Sequence, residues 1–233
     1  MEKPSRNLQI LNGVSAVLIL IAVGLVFWYA PEEQVMGAVQ RIFYFHVASA
    51  WIGMLAFVVT AVAAVIYLVT SKPVWDRVGY ASVEVGLLFS VSAGVAGAIW
   101  ARPIWNTWWT WDPRLTTYTI MALIYIAYLM LRQGLEDPDR RARFAAVYGL
   151  VGVISVPITY FSIRWWRTIH PVVIGNAADT AKGSFAMTRP MLQTFLFTLL
   201  AFTVLYVCFL FNRLRLARLE ERVEKLKAEM VTA

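Results

Sequence analysis

A single cysteine and two histidines are all the thiol and imidazole in 233 residues. Cys208 has no partner within the chain, which excludes an internal disulfide and a dithiol redox pair. Charge is scarce too: Asp, Glu, Lys and Arg make up 15% of the chain, against about a quarter in a soluble domain. No G-x-x-x-x-G-K-[ST] phosphate loop occurs, so any ATP-driven step belongs to another subunit. No C-x-x-C-H run occurs, so the chain is not itself a c-type cytochrome. Apolar residues supply 60% of the sequence, a membrane composition.

About 20 consecutive apolar residues cross the hydrocarbon core as a helix. Six runs answer to that length, at 10–30, 47–69, 80–99, 115–131, 144–163 and 191–211. The fourth has only 17 residues and the third carries Glu84. They predict an all-α, polytopic membrane protein, with a bundle of six transmembrane helices over residues 1–211 and a helical tail over 212–233. The first run is too long for a signal-peptide core and lacks a small-residue cleavage site before Pro31, so it is expected to stay as a helix.

Lys and Arg give an orientation. With the N-terminus cytoplasmic, the inner segments hold fourteen basic residues and the outer segments seven, which obeys the positive-inside rule. Both termini are then expected inside. The outer connections are 31–41, 100–114 and 164–190, and the last is long enough to be a functional loop. The net charge of +7 mostly reflects this bias and does not point to nucleic acid.

The second outer connection is the most unusual stretch of the chain. Residues 100–111 contain Trp100, Trp105, Trp108, Trp109 and Trp111, flanked by Arg102 and Arg114. Aromatic belts at the membrane surface account for Trp28, Trp51 and Trp75, and poorly for five tryptophans in one loop, joined by Trp165 and Trp166 in another. Indole is large and apolar but needs a partner for its N–H. The cluster therefore suits something flat, apolar and partly charged, as haem is. Trp105, Trp108 and Trp109 have helical spacing, so a short surface helix would put them on one face. That face either rests on lipid or carries a porphyrin.

Both histidines fall on this outer side: His46 at the start of the second span, and His170 after Arg164-Trp165-Trp166-Arg167. Neutral imidazole is a good ligand for haem iron, and two histidines level in the membrane can close on one iron. A histidine at a helix end also serves simply as an interfacial polar group. Seven outer basic residues face four outer acids. Guanidinium suits the two haem propionates, and Arg41, Arg102 and Arg114 lie near a histidine or the tryptophans. Snorkelling to headgroups is the alternative for such arginines.

Asp112-Pro113 has the form of an N-cap and first helical position for the fourth span. Glu84, one turn inside the third span, is either functional or paired with Arg77 or Arg132. In the tail, Leu216, Leu219, Val223, Leu226 and Met230 form a narrow apolar seam that suits a partner helix or the membrane surface.

The tryptophan run resembles the WWD signature of haem-handling membrane proteins, W-G-t-W-W-v-W-D-a-R-L-T. Here it reads Trp105-Asn106-Thr107-Trp108-Trp109-Thr110-Trp111-Asp112-Pro113-Arg114-Leu115-Thr116. Length and six spans make the chain similar to the CcmC family of cytochrome c maturation, whose larger WWD relatives have longer chains and more spans. The likeness extends through Arg41-Ile42-Phe43-Tyr44-Phe45-His46 and Trp165-Trp166 to His170-Pro171. Asn106 stands where Gly is usual, and Pro113 where a small residue is usual.

This resemblance implies a non-enzymatic subunit in the bacterial inner membrane, associated with an ABC transporter. It would bind haem b transiently on the periplasmic face, work with CcmA, CcmB and CcmD, and present haem to the chaperone CcmE. It makes His46 and His170 the axial ligands. Trp100, Trp105, Trp108, Trp109, Trp111, Asp112, Trp165 and Trp166 become the haem platform or chaperone surface. Two other readings stand beside it. A haem b electron-transfer subunit would want histidine pairs toward both faces, and a haem-free scaffold or transporter subunit would use the tryptophan loop only to dock a partner.

Overall fold

The computed structural model describes residues 4–170 and 187–232. It is all helix, with no strand among the described residues. The elements are α1 (Arg6–Gly24, extended by a π turn at Leu25–Tyr29), α2 (Arg41–Thr70), α3 (Pro73–Trp105), α4 (Pro113–Gln133), α5 (Pro138–Gly152), α6 (Ser155–Trp165) and α7 (Arg189–Thr232). With α5 and α6 counted as one crossing, six helices are long and apolar enough to span a membrane. The long outer connection expected after His170 falls mainly on 171–186, outside the described residues.

Polar ends extend several helices beyond their apolar runs. Pro73 sits in the first turn of α3, where its missing N–H is no loss. α2 begins at Arg41, so His46 stands in its second turn and not at the start of the span. The fifth run, expected as one helix, is two. Pro157 has no N–H to offer Val153, and the helix breaks over Val153 and Ile154, where Ser155 Oγ donates to Gly152 O at 2.6 Å. α7 runs without interruption from the sixth span into the tail.

α2 and α3 form the central pair, with the most extensive packing in the bundle. Small residues let them approach: a Cβ on Gly86 would lie 2.8 Å from that of Ala56 and 3.0 Å from the Phe57 ring. The main core lies beside them, where Phe57 and Tyr125 stack with centroids 3.6 Å apart. Apolar attraction between helices vanishes in lipid, so such packing and polar contacts hold the bundle. α1 packs mainly on α7 and buries little of its apolar surface within the chain.

Three ion pairs tie the end that carries the tail. Arg132 grips Asp76 with both nitrogens, at 2.5 and 2.9 Å, and lies 4.7 Å over the Tyr80 ring. Glu84 takes neither partner expected from sequence. Arg213 of α7 holds it at 2.6 and 3.2 Å, while Arg77 pairs with Glu221. Only the continuation of α7 as a helix brings Arg213 to that depth.

Candidate functional site

The other end of the bundle opens into a cavity walled by α2, α3, α4, α6 and α7. Both histidines line it. His46 Nδ1 lies 2.9 Å from the carbonyl oxygen of Ala93 on α3. A carbonyl only accepts, so Nδ1 carries the proton and Nε2 keeps its lone pair. The ring finds room because residue 97 is glycine: a Cβ there would stand 2.7 Å from Cε1 and 3.0 Å from Nδ1.

His170 is oriented by a different acceptor. Its Nδ1 lies 3.3 Å from Asp112 Oδ2, which also accepts from Thr168 Oγ1 at 2.5 Å. The His170 N–H donates to that hydroxyl at 3.2 Å. Asp112 Oδ1 accepts from the Leu115 N–H at 2.9 Å, so the expected N-cap of α4 exists and the same carboxylate serves the histidine. Burial disfavours its charge. Hydrogen bonds from His170, Thr168 and the Leu115 N–H outweigh that and hold the carboxyl well below the usual carboxylate range. An ionised Asp112 fixes the Nδ1–H tautomer and leaves the Nε2 lone pair, the arrangement that carboxylates impose on metal-binding histidines.

Two indole rings join the two imidazoles. Centroids are 5.9 Å apart from His46 to Trp100, 5.8 Å from Trp100 to Trp105 and 5.9 Å from Trp105 to His170. Trp108 and Trp109 also line the cavity, with Trp108 57% exposed at its mouth. The short surface helix expected for Trp105, Trp108 and Trp109 does not form. α3 ends at Trp105, Asn106 turns the chain with φ of 54°, and residues 107–112 are non-helical. That left-handed turn explains why glycine suits position 106 and why asparagine replaces it at small cost. Arg102 donates to both oxygens of Asn106, the main-chain one at 2.7 Å, and secures the turn.

The arginines divide. Arg114 lines the cavity and donates to the Thr159 carbonyl. Arg41 lies 3.4 Å from Glu32, and neither it nor Arg102 lines the cavity. Arg164, with its guanidinium 5.2 Å over the Tyr160 ring, does line it. Trp111, Trp165 and Trp166 also stand outside: Trp111 is packed on Trp109, while Trp165 stacks on Phe161 and meets Trp166 edge-on. All three are exposed.

The donor set fits a porphyrin better than a bare ion. Two imidazoles offer Nε2, and among the described residues no cluster of three or more His, Cys, Asp or Glu is built to hold a metal alone. A porphyrin brings its own equatorial nitrogens and needs only axial ligands. The walls are aromatic and aliphatic, with two guanidinium groups. The buried indole N–H groups of Trp100 and Trp109 have no hydrogen-bond partner among the described residues, so both can still donate.

A family model described as heme exporter protein C matches residues 2–229. The chain belongs to the heme exporter protein C family. It is similar to heme exporter protein C of Bradyrhizobium diazoefficiens, 36% identical over 91% of this chain and 80% of that one. The Haemophilus influenzae heme exporter protein C is 31% identical over 96% of this chain and 92% of its own. A putative cytochrome c biosynthesis ccmC-like mitochondrial protein of Marchantia polymorpha is 34% identical over 71% and 70%. With its six apolar helices, this member of the heme exporter protein C family is a multi-pass membrane protein.

Several residues of the family member's cavity escape the WWD signature. Gly94, Gly97, Ala98 and Ala101 line it at i, i+3, i+4 and i+7 on α3. That small-residue stripe is legible in sequence as a face for close approach. Tyr118, whose hydroxyl donates to Ser90 O, and Tyr160 also line it. So does Trp51, which donates to Thr203 Oγ1 at 3.3 Å and which belt composition alone would explain.

Proposed function

We propose that the chain holds haem as cargo at the outer end of its bundle and presents it during cytochrome c maturation. The observation that carries this reading is the convergence of both histidines on one aromatic cavity, each with Nδ1 occupied as a donor and Nε2 keeping its lone pair. His46 and His170 would hold the haem iron through Nε2. Trp100, Trp105, Trp108 and Trp109 supply apolar walls, and Arg114 and Arg164 hold the propionates. The names carried by the relatives, heme exporter and cytochrome c biosynthesis, support haem as the cargo.

The tryptophan-rich end faces the periplasm and the tail faces the cytoplasm, a reading that the twofold excess of Lys and Arg on the tail side supports. Exposed Trp111, Trp165 and Trp166 rim the site and receive CcmE. Residues 1–211 handle haem, while 212–233 together with CcmA, CcmB and CcmD form the rest of the assembly. The work of the site is holding and orienting haem.

The test is the visible spectrum of detergent-purified protein after haem supply, beside His46→Ala and His170→Ala. A low-spin bis-histidine spectrum lost in either variant supports the reading. Identical spectra in all three would remove the ligand assignment and leave the tryptophan loop as a docking surface.

A further inference from the structure

Among the described residues that line the cavity, three are exposed: Trp108, Ile169 and Trp51. Trp108 and Ile169 lie beyond the ends of α3 and α6 and mark the mouth. Trp51, 44% exposed, stands elsewhere. It is four residues into the second apolar run, on α2, and so roughly 6 Å below the outer end of that run. An exposed piece of cavity wall at that depth is a second opening, to the side of the bundle.

That side faces lipid. Trp51, Val58, Val62, Val65 and Val69 are all exposed, and their spacing of seven, four, three and four puts them on one stripe of α2. On a spanning helix such a stripe faces hydrocarbon. Around the cavity, α7 packs on α2 and α3, and α6 packs mainly on α4, but α6 and α7 do not pack extensively on each other among the described residues. A tryptophan of the membrane belt turns its N–H to the headgroups. The indole of Trp51 instead donates across to Thr203 Oγ1 on α7, through one long hydrogen bond of 3.3 Å. Thr203 itself does not line the cavity.

We infer that haem is loaded sideways, from the outer leaflet through this opening, with Trp51 as the gate. The inference rests on the haem reading above and adds the form in which the cargo arrives: dissolved in lipid, not delivered at the mouth. Haem is a flat apolar macrocycle with two carboxylates on one edge. In a leaflet its propionates stay with the headgroups and its ring lies in hydrocarbon. Sideways entry keeps that depth. The propionates move from the headgroup level to Arg114 in the first turn of α4 and Arg164 in the last turn of α6, while the ring passes Trp51 into the aromatic walls. Entry from above would first carry the apolar ring through water, at the cost of its hydration.

The full chain is placed in phosphatidylcholine nanodiscs, with haem dissolved in the disc lipid, and the rise of the haem spectrum is followed by stopped flow. Thr203→Val frees the indole and leaves the cavity wall intact. It is expected to speed loading and release alike by about fivefold, the factor of one neutral hydrogen bond, with the equilibrium affinity unchanged. Trp51→Cys on a Cys208→Ser background, tagged in detergent with a bulky maleimide, is expected to load from lipid at least tenfold more slowly than its untagged form. Val58→Ala, on the same stripe and outside the cavity, loads as the wild type does. If the tag fills the cavity itself, seen as loss of the final spectrum, Thr203→Val alone decides. Wild-type loading rates in Thr203→Val overturn the gate, and so does faster release with unchanged loading, which would make the bond a structural tie. Uptake of haem from aqueous albumin but not from disc lipid overturns side loading alone and leaves the mouth as the entrance. A wild-type chain that takes haem from neither source overturns the haem reading itself.

Discussion

The carboxyl of Asp112 touches two elements at once: Oδ2 lies 3.3 Å from Nδ1 of His170, and Oδ1 caps α4 through the Leu115 N–H at 2.9 Å. Helix start and imidazole orientation are thereby coupled in one side chain. Asparagine is as good an N-cap as aspartate, but it brings no charge to the histidine. Asp112→Asn is therefore expected to melt within a few degrees of the wild type and to bind haem about 10–100-fold more weakly, the usual cost of losing an outer-shell carboxylate. Asp112→Ala loses the cap as well, a further cost of about 1 kcal/mol. Haem titration beside a thermal melt separates the two effects. Unchanged haem affinity in Asp112→Asn would detach Asp112 from the site.

Gly97 gives a second handle on the proposed ligand geometry. An alanine Cβ would stand 2.7 Å from His46 Cε1, closer than real contacts allow, and the ring would have to leave its bond to Ala93 O. Alanine also favours helix over glycine by about 1 kcal/mol, so Gly97→Ala need not weaken α3. The expected result is a folded protein whose haem spectrum changes from low-spin bis-histidine toward that of His46→Ala. A wild-type spectrum would mean that His46 has room to move without losing its ligand position.

Much of this fold is visible in sequence, for reasons that also mark the failures. Uncharged runs of about 20 residues locate spans because lipid forbids unpaired backbone, and all six appear. The cap at Asp112 is legible because it is local chemistry. The helical spacing of Trp105, Trp108 and Trp109 misleads, because one left-handed residue at Asn106 ends the helix before the pattern can act. Arg164 gives no local signal of its role. It lines the cavity from the last turn of α6, which packs mainly on α4, and no local pattern reports that packing. The pairing of Glu84 with Arg213 joins residues 129 positions apart, which no spacing rule reaches.

The two cavity arginines make a prediction about the cargo's carboxylates. A charged hydrogen bond contributes roughly 1.5–3 kcal/mol, so Arg114→Gln and Arg164→Gln should each weaken haem binding about tenfold or more. The decisive comparison uses haem with esterified propionates. If the guanidinium groups hold propionates, the ester binds the wild type more weakly and no longer distinguishes the variants. A variant that loses affinity equally for haem and its ester has lost packing, as removal of Arg164 from Tyr160 also would.

Far from the cavity, Asp76 and Arg132 form a bidentate pair with little exposure, 16% and 11% of their side chains. Removing one partner strands the other. With some solvent screening, Asp76→Asn is expected to cost about 2–3 kcal/mol, at or below the range for breaking a buried pair. The swap D76R/R132D should recover part of that loss. Full recovery by D76N/R132Q instead would show that the pair offers no net stability over neutral hydrogen bonds. Resistance to denaturation by detergent is the measurement.

Orientation is testable with the chain's own chemistry. Its single cysteine is buried in α7, so Cys208→Ser provides a thiol-free background without opening the surface. Val35, 90% exposed beside the tryptophan-rich end, and Lys227 in the tail are suitable reporter positions. A membrane-impermeant maleimide applied to intact spheroplasts should label Val35→Cys and not Lys227→Cys, which reacts only after lysis. Fourteen basic residues at the tail end stand against seven at the other, a bias that acts during insertion and so determines which end can meet a periplasmic acceptor. Labelling of Lys227→Cys alone would put both histidines on the cytoplasmic side. The cavity would then serve uptake from the cytoplasm, and presentation to an outer chaperone would have to occur elsewhere.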